Sequence, residues 1–151
     1  MSETYDWLLL KNQVGFPLYL CSKELLNRYA VLLQDLDLTY TQYVVMMYFW
    51  EKETSNVKRM SETLLLDPST LTPVLKRLEQ KGYLRRERNA EDERNLTIVL
   101  TEAGLKLRKK ALPVPAAMKD SIGFTDDEFV MLYRLLYKML QNIEKSKEKE
   151  E

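Results

Sequence analysis

The first clear pattern along the chain runs from about Gln13 to Leu36, where apolar side chains recur at the spacing of one helix face. These positions are Val14, Leu18, Cys21, Leu25, Leu32 and Leu36, with Tyr29 on the same side. Pro17 falls in the first turn, where its missing N–H costs little. The pattern therefore predicts a long amphipathic helix at the start of the chain.

The next segment is apolar nearly all round its predicted helix. We expect this helix to begin with Thr41 as its N-cap and to end near Lys52. The positions from Tyr43 to Trp50 are continuously apolar or aromatic. A helix without a polar face belongs in a core, so this one is predicted to be central and buried.

A closely spaced pair of helices follows. Val57, Met60 and Leu64 mark a short helix, and Leu66-Asp67-Pro68 marks a turn. The second helix has a buried stripe with the spacing i, i+3, i+4, i+7, formed by Leu71, Val74, Leu75 and Leu78. Either Asp67 or Ser69 caps its start. Gly82 ends it in the C′ position.

A β-hairpin is predicted next, with strands at 83–88 and 96–100 and a polar tip at 89–95. Thr101 and the residues after it open another helix, which Pro113 and Pro115 bend or break. We expect residues 145–151, a mixture of Lys and Glu with almost nothing else, to be disordered.

The last predicted helix starts with a capping box, Thr125-x-x-Glu128. Its apolar residues then alternate at spacings of three and four, as in the seam of a coiled coil. They are Phe129, Leu132, Leu136, Met139 and Ile143. Such a stripe docks either on its own domain or on a second subunit. We favour a subunit interface, because the first and last helices both carry apolar stripes and flank one small central unit.

Composition limits the possible functions. The chain has 151 residues, the usual size of one domain, and it contains no histidine and one cysteine. Catalytic triads and His-ligated metals are thereby excluded, and no glycine-rich phosphate loop is present. We therefore expect no enzyme, no cofactor and no metal site. The lone cysteine, and the absence of an apolar span or a signal peptide, predict a cytoplasmic protein without membrane contact.

The net charge is zero, but the charges are unevenly distributed. Between Val57 and Arg88 there are eight Lys or Arg and four Asp or Glu, a local excess of four positive charges. Helix, short turn, helix and basic hairpin is the order of a winged helix-turn-helix, whose second helix enters the DNA major groove. The fold class predicted is mainly α with a small β-hairpin wing.

The second helix of the pair would turn polar side chains outward. These are Ser69, Thr70, Thr72, Pro73, Lys76, Arg77 and Gln80. In the wing, Arg85, Arg86 and Arg88 suit phosphates, and Arg94 at the tip suits a narrow minor groove with its enhanced negative potential. Each feature alone is typical of an ordinary solvated surface. Their conjunction within the basic region indicates DNA binding.

These residues resemble the MarR family of bacterial repressors. The resemblance rests on Leu71 to Leu84, on Arg85-Arg86-Glu87-Arg88, on Asp92-x-Arg94 and on Leu100-Thr101-Glu102-x-Gly104. It extends from about Asn12 to Ile143. It implies a symmetric homodimer on a pseudopalindromic operator, with dimerisation helices at about 8–36 and 102–145 and a DNA-binding region at about 40–100. It also implies Ser69, Thr70, Thr72 and Arg77 at bases or adjacent phosphates, and Arg94 in the minor groove, oriented by Asp92.

Within that family the chain is similar to the organic-hydroperoxide-sensing branch. The similarity lies in Asn12-Gln13-Val14-Gly15-Phe16, in Leu38-Thr39-Tyr40 and in Trp50-Glu51. The branch has its reactive cysteine where this chain has Gly15. The tyrosines that the branch places around that sulfur, Tyr19, Tyr29 and Tyr40, are all present. The resemblance therefore implies a tyrosine-lined pocket without its nucleophile.

Cys21 does not simply replace the missing thiol. It lies six residues after Gly15, which turns a helix by a net angle of roughly 240° and advances it by roughly 9 Å. It falls on the apolar stripe of the first helix, so we expect a buried and inert cysteine. A reactive cysteine would need a pKa lowered by nearby positive charge.

Three functional hypotheses remain open at the level of sequence. The first is a repressor released by a small apolar or aromatic effector bound among Phe16, Tyr19, Tyr29, Tyr40 and Tyr43. The second is a redox-responsive repressor, sensitive to organic peroxides, that uses Cys21. The third is a winged-helix protein-interaction module without specific DNA binding.

Overall fold

A computed structural model describes residues 6–89 and 92–150, and the side chains in these ranges except those of residues 89 and 92–95. The helices are α1 (Gly15–Leu32), α2 (Tyr40–Lys52), α3 (Val57–Leu64), α4 (Pro68–Gln80), α5 (Glu102–Ala111), α6 (Pro113–Ile122) and α7 (Asp126–Lys147). The strands are β1 (Thr54–Ser55), β2 (Leu84–Asn89) and β3 (Asp92–Leu100). Two 3₁₀ turns, Leu10–Asn12 and Gln34–Leu36, flank α1. The winged helix-turn-helix order predicted from the sequence is confirmed.

Helix α1 is shorter than its apolar pattern, because the last turn of that pattern forms the separate 3₁₀ turn at Gln34–Leu36. The stripe is covered at one end only. Tyr29, Leu32 and Leu36 pack in or against the core. Val14, Leu18 and Leu25 at the other end are exposed. Among the described residues, the apolar stripe of α1 is therefore packed into the core only near its C-terminal end.

Helix α2 begins two residues earlier than expected, because its N-cap is Thr39 rather than Thr41. The Thr39 hydroxyl accepts from the Gln42 backbone N–H, and the Gln42 side chain accepts from the Thr39 N–H. This reciprocal capping box satisfies two groups at once, which a cap at Thr41 would not do. The helix is central as predicted, with Val45, Met46 and Phe49 fully buried.

Helices α3 and α4 form the predicted pair. Leu65 adopts a left-handed conformation that ends α3, and Asp67 is the N-cap of α4, with its carboxylate accepting from the Ser69 N–H at 2.8 Å. The buried stripe of α4 is Leu71, Leu75 and Leu78, with Val74 partly buried. The sequence left Asp67 and Ser69 as alternative caps, and the structure selects Asp67.

The sheet is larger than the predicted hairpin. It has three antiparallel strands in the order β1-β3-β2, with Ser55 opposite Ile98 and Arg86 on the other side of Ile98. Strand β3 begins at Asp92, within the segment expected to be a loop tip. The polar side chains of that segment do not prevent pairing, because the strand is held by backbone hydrogen bonds.

The prolines break the helical segment after α5, as expected. Thr101 caps α5 and α6 begins with Pro113, a position where the missing N–H has no helical partner to lose. The capping box of α7 is confirmed: Thr125 N–H donates to Glu128 at 2.8 Å. Helix α7 continues through Lys147, so the expectation of disorder from residue 145 was wrong for its first three residues.

The chain divides into two compact units, Met1–Val114 and Pro115–Glu151. The first holds the winged-helix core, in which α2, α4 and Ile98 of β3 contribute fully buried side chains. The second contains α7, none of whose residues is buried. Among the described residues, no helix combines the length and the apolar character needed to cross a membrane.

Candidate nucleic-acid interface

The outward face of α4 presents the polar side chains that the sequence placed there. Burial of Leu71, Leu75 and Leu78 fixes which side of the helix faces the core. Ser69, Thr70, Thr72, Lys76 and Arg77 are consequently all exposed. Helix α4 thus presents hydroxyl groups and two positively charged side chains to solvent. Groups of these kinds contact base edges and phosphates in DNA complexes.

Thr72 has part of its hydrogen-bonding capacity already engaged. Its hydroxyl donates to the Pro68 carbonyl oxygen at 2.8 Å, within the first turn of α4. A hydroxyl has one donor and two acceptor lone pairs. Thr72 therefore offers its remaining acceptor capacity and its methyl group to a ligand, while Ser69 and Thr70 offer further hydroxyls.

The start of α4 also carries a negative charge. Hydrogen bonds from Ser69 hold the pKa of Asp67 below its usual range. The charged carboxylate is favourable at a helix N-terminus, where the backbone dipole is positive. Asp67 thus stabilises the helix at the end that holds Ser69 and Thr70.

Gly82 allows the chain to turn sharply from α4 into the wing. It has a positive φ of 77°, and Gly82 and Tyr83 donate to the carbonyls of Glu79 and Leu78 at 2.9 and 3.0 Å. This is the Schellman pattern, which the sequence indicated by the glycine alone. Wing and helix are therefore joined without a flexible linker.

Gly104 lets α5 approach that same corner closely. A Cβ at this position would collide with the Tyr83 carbonyl oxygen. Thr101 donates from its backbone to Tyr83 and from its hydroxyl to Gly82, at 3.0 and 2.6 Å, and the Trp50 indole donates to the Gly104 carbonyl at 2.9 Å. These contacts close the base of the hairpin onto the core.

Arg86 forms an ion pair that the sequence did not indicate. Its Nε donates to Glu79 on α4 at 2.8 Å, and this contact links the wing to that helix. The Arg86 side chain is still 40% exposed, and the phosphate contact expected from the sequence stays a prediction. Arg85 pairs with Glu87 at 2.6 Å within the same strand. Arg88 is exposed farther along the wing.

Two residues expected to bind DNA lie outside the described side chains. Asp92 and Arg94 belong to β3, and their backbone positions place them toward the tip of the wing. Asn89 pairs with Asp92 after an irregularity in the register next to Arg88. The expected orientation of Arg94 by Asp92 stays a prediction.

Three of the five candidate pocket residues lie together. The ring of Tyr29 lies 4.5 Å from that of Tyr40 and 6.1 Å from that of Tyr43, measured between centroids. Burial raises the pKa of Tyr29 and of Tyr43, with the neighbouring Tyr40 adding to both. Phe16 and Tyr19 lie on the exposed part of α1.

Cys21 is exposed, which corrects the expectation that it would be buried. The reasoning from the stripe was right about its neighbours, since Val14, Leu18 and Leu25 share its side of α1. It failed because that side of α1 is exposed in the described part of the chain. In the described part of the chain, no three Cys, Asp or Glu side chains are grouped so as to hold a metal ion.

Sequence reasoning missed Lys81, which lies at the C-terminal end of α4. Its ammonium group contacts Asp37 and Gln42, which lie 44 and 39 residues earlier. It also missed β1, a strand of two residues that pairs with β3. Neither feature leaves a periodic signal, because each depends on partners that are distant in the sequence.

Comparison with protein families gives a match to the model described as "Transcriptional regulator SarA/Rot" over residues 27–111, more than half of the chain. The matched segment contains α2 to α5 and the sheet. The chain is 41% identical to the organic hydroperoxide resistance transcriptional regulator of Bacillus subtilis over 143 residues, covering 95% of this chain and 97% of the relative.

Two staphylococcal proteins are also similar. The chain is 39% identical to the HTH-type transcriptional regulator SarZ of Staphylococcus haemolyticus, covering 88% of this chain and 90% of that one. Among solved structures, it is similar to reduced AbfR bound to DNA, with a TM-score of 0.76, 31% identity, and coverage of 93% of this chain and 98% of AbfR. AbfR is a protein of Staphylococcus epidermidis.

Proposed function

Because the chain belongs to the SarA/Rot-type, MarR-like family of winged-helix transcriptional regulators, we propose that it represses transcription as a homodimer bound to a pseudopalindromic operator. DNA binding and a role in transcription regulation follow from family membership. The repressor role, the homodimer and the operator symmetry are the parts that we propose. Such a regulator acts in the cytoplasm of a bacterial cell, where the DNA lies.

The exposed apolar surface of α1 and α7 carries the proposal of a dimer. Leu18 and Leu25 on α1 are exposed, and so is Val14 at its N-cap. On α7, Phe129 and Leu132 are exposed, and neither helix has a buried residue. An exposed apolar stripe of this kind marks an interaction site. We propose that residues of about 8–36 and 102–145 form the dimer and that about 40–100 bind DNA.

On this proposal, α4 of each subunit occupies one major groove. Ser69, Thr70, Thr72, Lys76 and Arg77 face the bases and adjacent phosphates, and the two-fold axis of the dimer sets half-sites one turn of DNA apart. Arg88 contacts the backbone from the wing, and Arg94, oriented by Asp92, enters the minor groove. Arg86 contacts a phosphate from the wing while its Nε stays paired with Glu79.

Arginine variants test the DNA-binding surface. We expect Arg77→Ala and Arg94→Ala each to lower affinity for an operator duplex by roughly 1–3 kcal/mol, if each contacts a base. Lys149→Ala, which removes an exposed positive charge outside both proposed regions, is the control and should bind normally. Fluorescence anisotropy at fixed salt measures all three. Normal operator binding by both Arg77→Ala and Arg94→Ala would contradict the proposed DNA-binding surface. Failure of the unmodified protein to bind an operator would instead support an interaction module.

A small apolar or aromatic effector is the release signal that we propose. The ring cluster of Tyr29, Tyr40 and Tyr43 lies where α1 meets α2, and Phe16 and Tyr19 lie earlier on α1. An effector shifts the DNA-binding equilibrium only if it binds one conformation better than the other. Titration of phenolic and apolar compounds against the DNA complex tests this, and unchanged affinity throughout would remove the proposal.

A second candidate signal is an organic hydroperoxide acting on Cys21. One observation favours it: a relative with 41% identity is named for organic hydroperoxide resistance, and Cys21 is the one cysteine of the sequence. We expect Cys21→Ser to abolish any response of DNA binding to hydroperoxide. A response that persists in Cys21→Ser would rule out this candidate and leave the ligand proposal.

A further inference from the structure

Lys81 connects two parts of the fold that the sequence keeps far apart. It follows the last residue of α4, and its Nζ donates to the Asp37 carbonyl oxygen and to Gln42 Oε1, the latter at 3.3 Å. The same ammonium group pairs with Asp37 Oδ2 at 3.1 Å. The Lys81 side chain is only 24% exposed despite its charge.

The partners of Lys81 define the joint between α1 and α2. Asp37 follows the 3₁₀ turn after α1 and adopts a left-handed conformation, with φ 50° and ψ 45°. Gln42 Oε1 also accepts from the Thr39 N–H at 3.2 Å and so completes the capping box of α2. Lys81 is therefore bonded to the residue that redirects the chain and to the residue that caps the next helix.

These contacts engage most of the Lys81 ammonium group. It has three N–H donors and no acceptor, it donates to two oxygens, and Asp37 Oδ2 is a third oxygen nearby. Ser69 and Thr70 are at the opposite end of α4, which at 1.5 Å per residue is about 18 Å long. The location and the bonds of Lys81 thus differ from those of a phosphate-binding lysine.

We infer that Lys81 is a positioning residue for DNA binding, which fastens the C-terminal end of the recognition helix α4 to the joint between α1 and α2. A displacement of α1 at this joint then moves the α4 end with it. The inference rests on the proposed use of α4 in DNA binding. It adds a route by which events on α1, where the apolar stripe and Cys21 lie, reach the DNA-binding surface.

The test compares two lysines of the same helix. We expect Lys81→Met to weaken operator binding about 10-fold and to leave the dependence of affinity on salt unchanged, since no phosphate contact is lost. Lys76→Met is the matched control on the exposed face. It should weaken binding and also reduce the slope of log affinity against log salt by about one.

Asp37→Asn extends the test without disturbing the backbone, because asparagine tolerates the left-handed conformation. We expect this variant to weaken operator binding about 3-fold in the otherwise unchanged protein. In the Lys81→Met protein it should cause no further loss. The thermal melting curve of each variant establishes that it is folded before its DNA affinity is compared.

Three results would overturn the inference. These are normal operator binding by Lys81→Met, a reduced salt slope like that of Lys76→Met, and additive losses in the Asp37→Asn and Lys81→Met double variant. If Arg77→Ala loses operator affinity while Lys81→Met binds normally, the inference fails and the proposed function stands. If Arg77→Ala, Arg94→Ala and Lys76→Met all bind normally, the proposed DNA-binding surface itself is wrong.

Discussion

Helices α1 and α2 are neighbours in the chain and similarly apolar overall, yet their surroundings are opposite. Helix α2 buries Val45, Met46 and Phe49 completely, whereas α1 buries none of its residues. The difference lies in what the rest of the chain supplies. Helices α4 and α5 and the sheet cover α2, whereas the described part of the chain leaves Val14, Leu18 and Leu25 exposed. Apolar composition thus predicts that a helix needs an apolar neighbour. It does not predict whether that neighbour comes from the same chain or from a second one.

The largest effect on stability should come from a substitution in the buried core that covers α2. Leu75 on α4 is 0% exposed, so we expect Leu75→Ala to lower the free energy of unfolding by about 2–5 kcal/mol through lost burial and a cavity. Leu112→Ala, at a leucine that is 70% exposed, is the control and should cost less than about 0.5 kcal/mol. Urea unfolding measures both, and equal costs would contradict the assigned core.

A negative charge placed on the exposed apolar stripe of α7 should disrupt the proposed dimer. Leu132 lies on the exposed apolar stripe of α7, and we expect Leu132→Glu to shift the protein from dimer to monomer. Operator affinity should then fall by about 100-fold, because two linked half-site contacts become independent. Gln141→Glu adds the same charge on α7 away from the stripe, and should change neither property. Sedimentation and DNA titration distinguish the two variants; a dimeric Leu132→Glu protein would refute this interface.

The N-cap of α2 allows a test with a smaller expected loss of stability, which distinguishes Thr39 from Thr41 as the capping residue. Thr39 forms the capping box, so Thr39→Ala should destabilise the protein by about 1 kcal/mol. Thr41→Ala makes the same change at the cap expected from the sequence and should have less than half that effect. The two urea midpoints decide between them. A larger loss for Thr41→Ala would restore the original assignment.

The smallest expected effect concerns the tyrosines where the two helices meet. The pKa values of Tyr29 and Tyr43 are raised in the folded protein, mainly by burial. Their protonated forms therefore favour folding at neutral pH, and this contribution is lost as the pH rises from the ordinary tyrosine pKa through the raised values. An ultraviolet titration should show tyrosines that ionise late in the folded protein and normally in denaturant. Superimposable titrations would refute the shift.

Much of the fold could be predicted because its signals are local. The α3–α4 turn is defined by Asp67, Pro68 and the stripe beginning at Leu71, and the end of α4 is defined by Gly82. Each of these features acts within a few residues, so spacing and residue type suffice to find it. The placement of Thr70 and Arg77 on the exposed face of α4 follows from the same periodicity.

The errors have a common physical origin in partners that are distant along the chain. Cys21 was assigned to the interior because periodicity identifies a stripe without identifying what covers it. Lys81 and β1 were missed because their partners, Asp37 and β3, lie about 44 residues away. Only the packed structure brings these groups together.

The hydrogen bond from Trp50 to Gly104 also gives the protein an internal optical reporter. The chain has two tryptophans, and Trp7 is 77% exposed whereas Trp50 is partly buried and bonded to the α5 backbone. With Trp7 replaced by phenylalanine, the remaining indole emission reports whether α5 is docked against the end of α2. The wavelength and intensity of that emission can then be followed through unfolding or DNA binding without an attached dye.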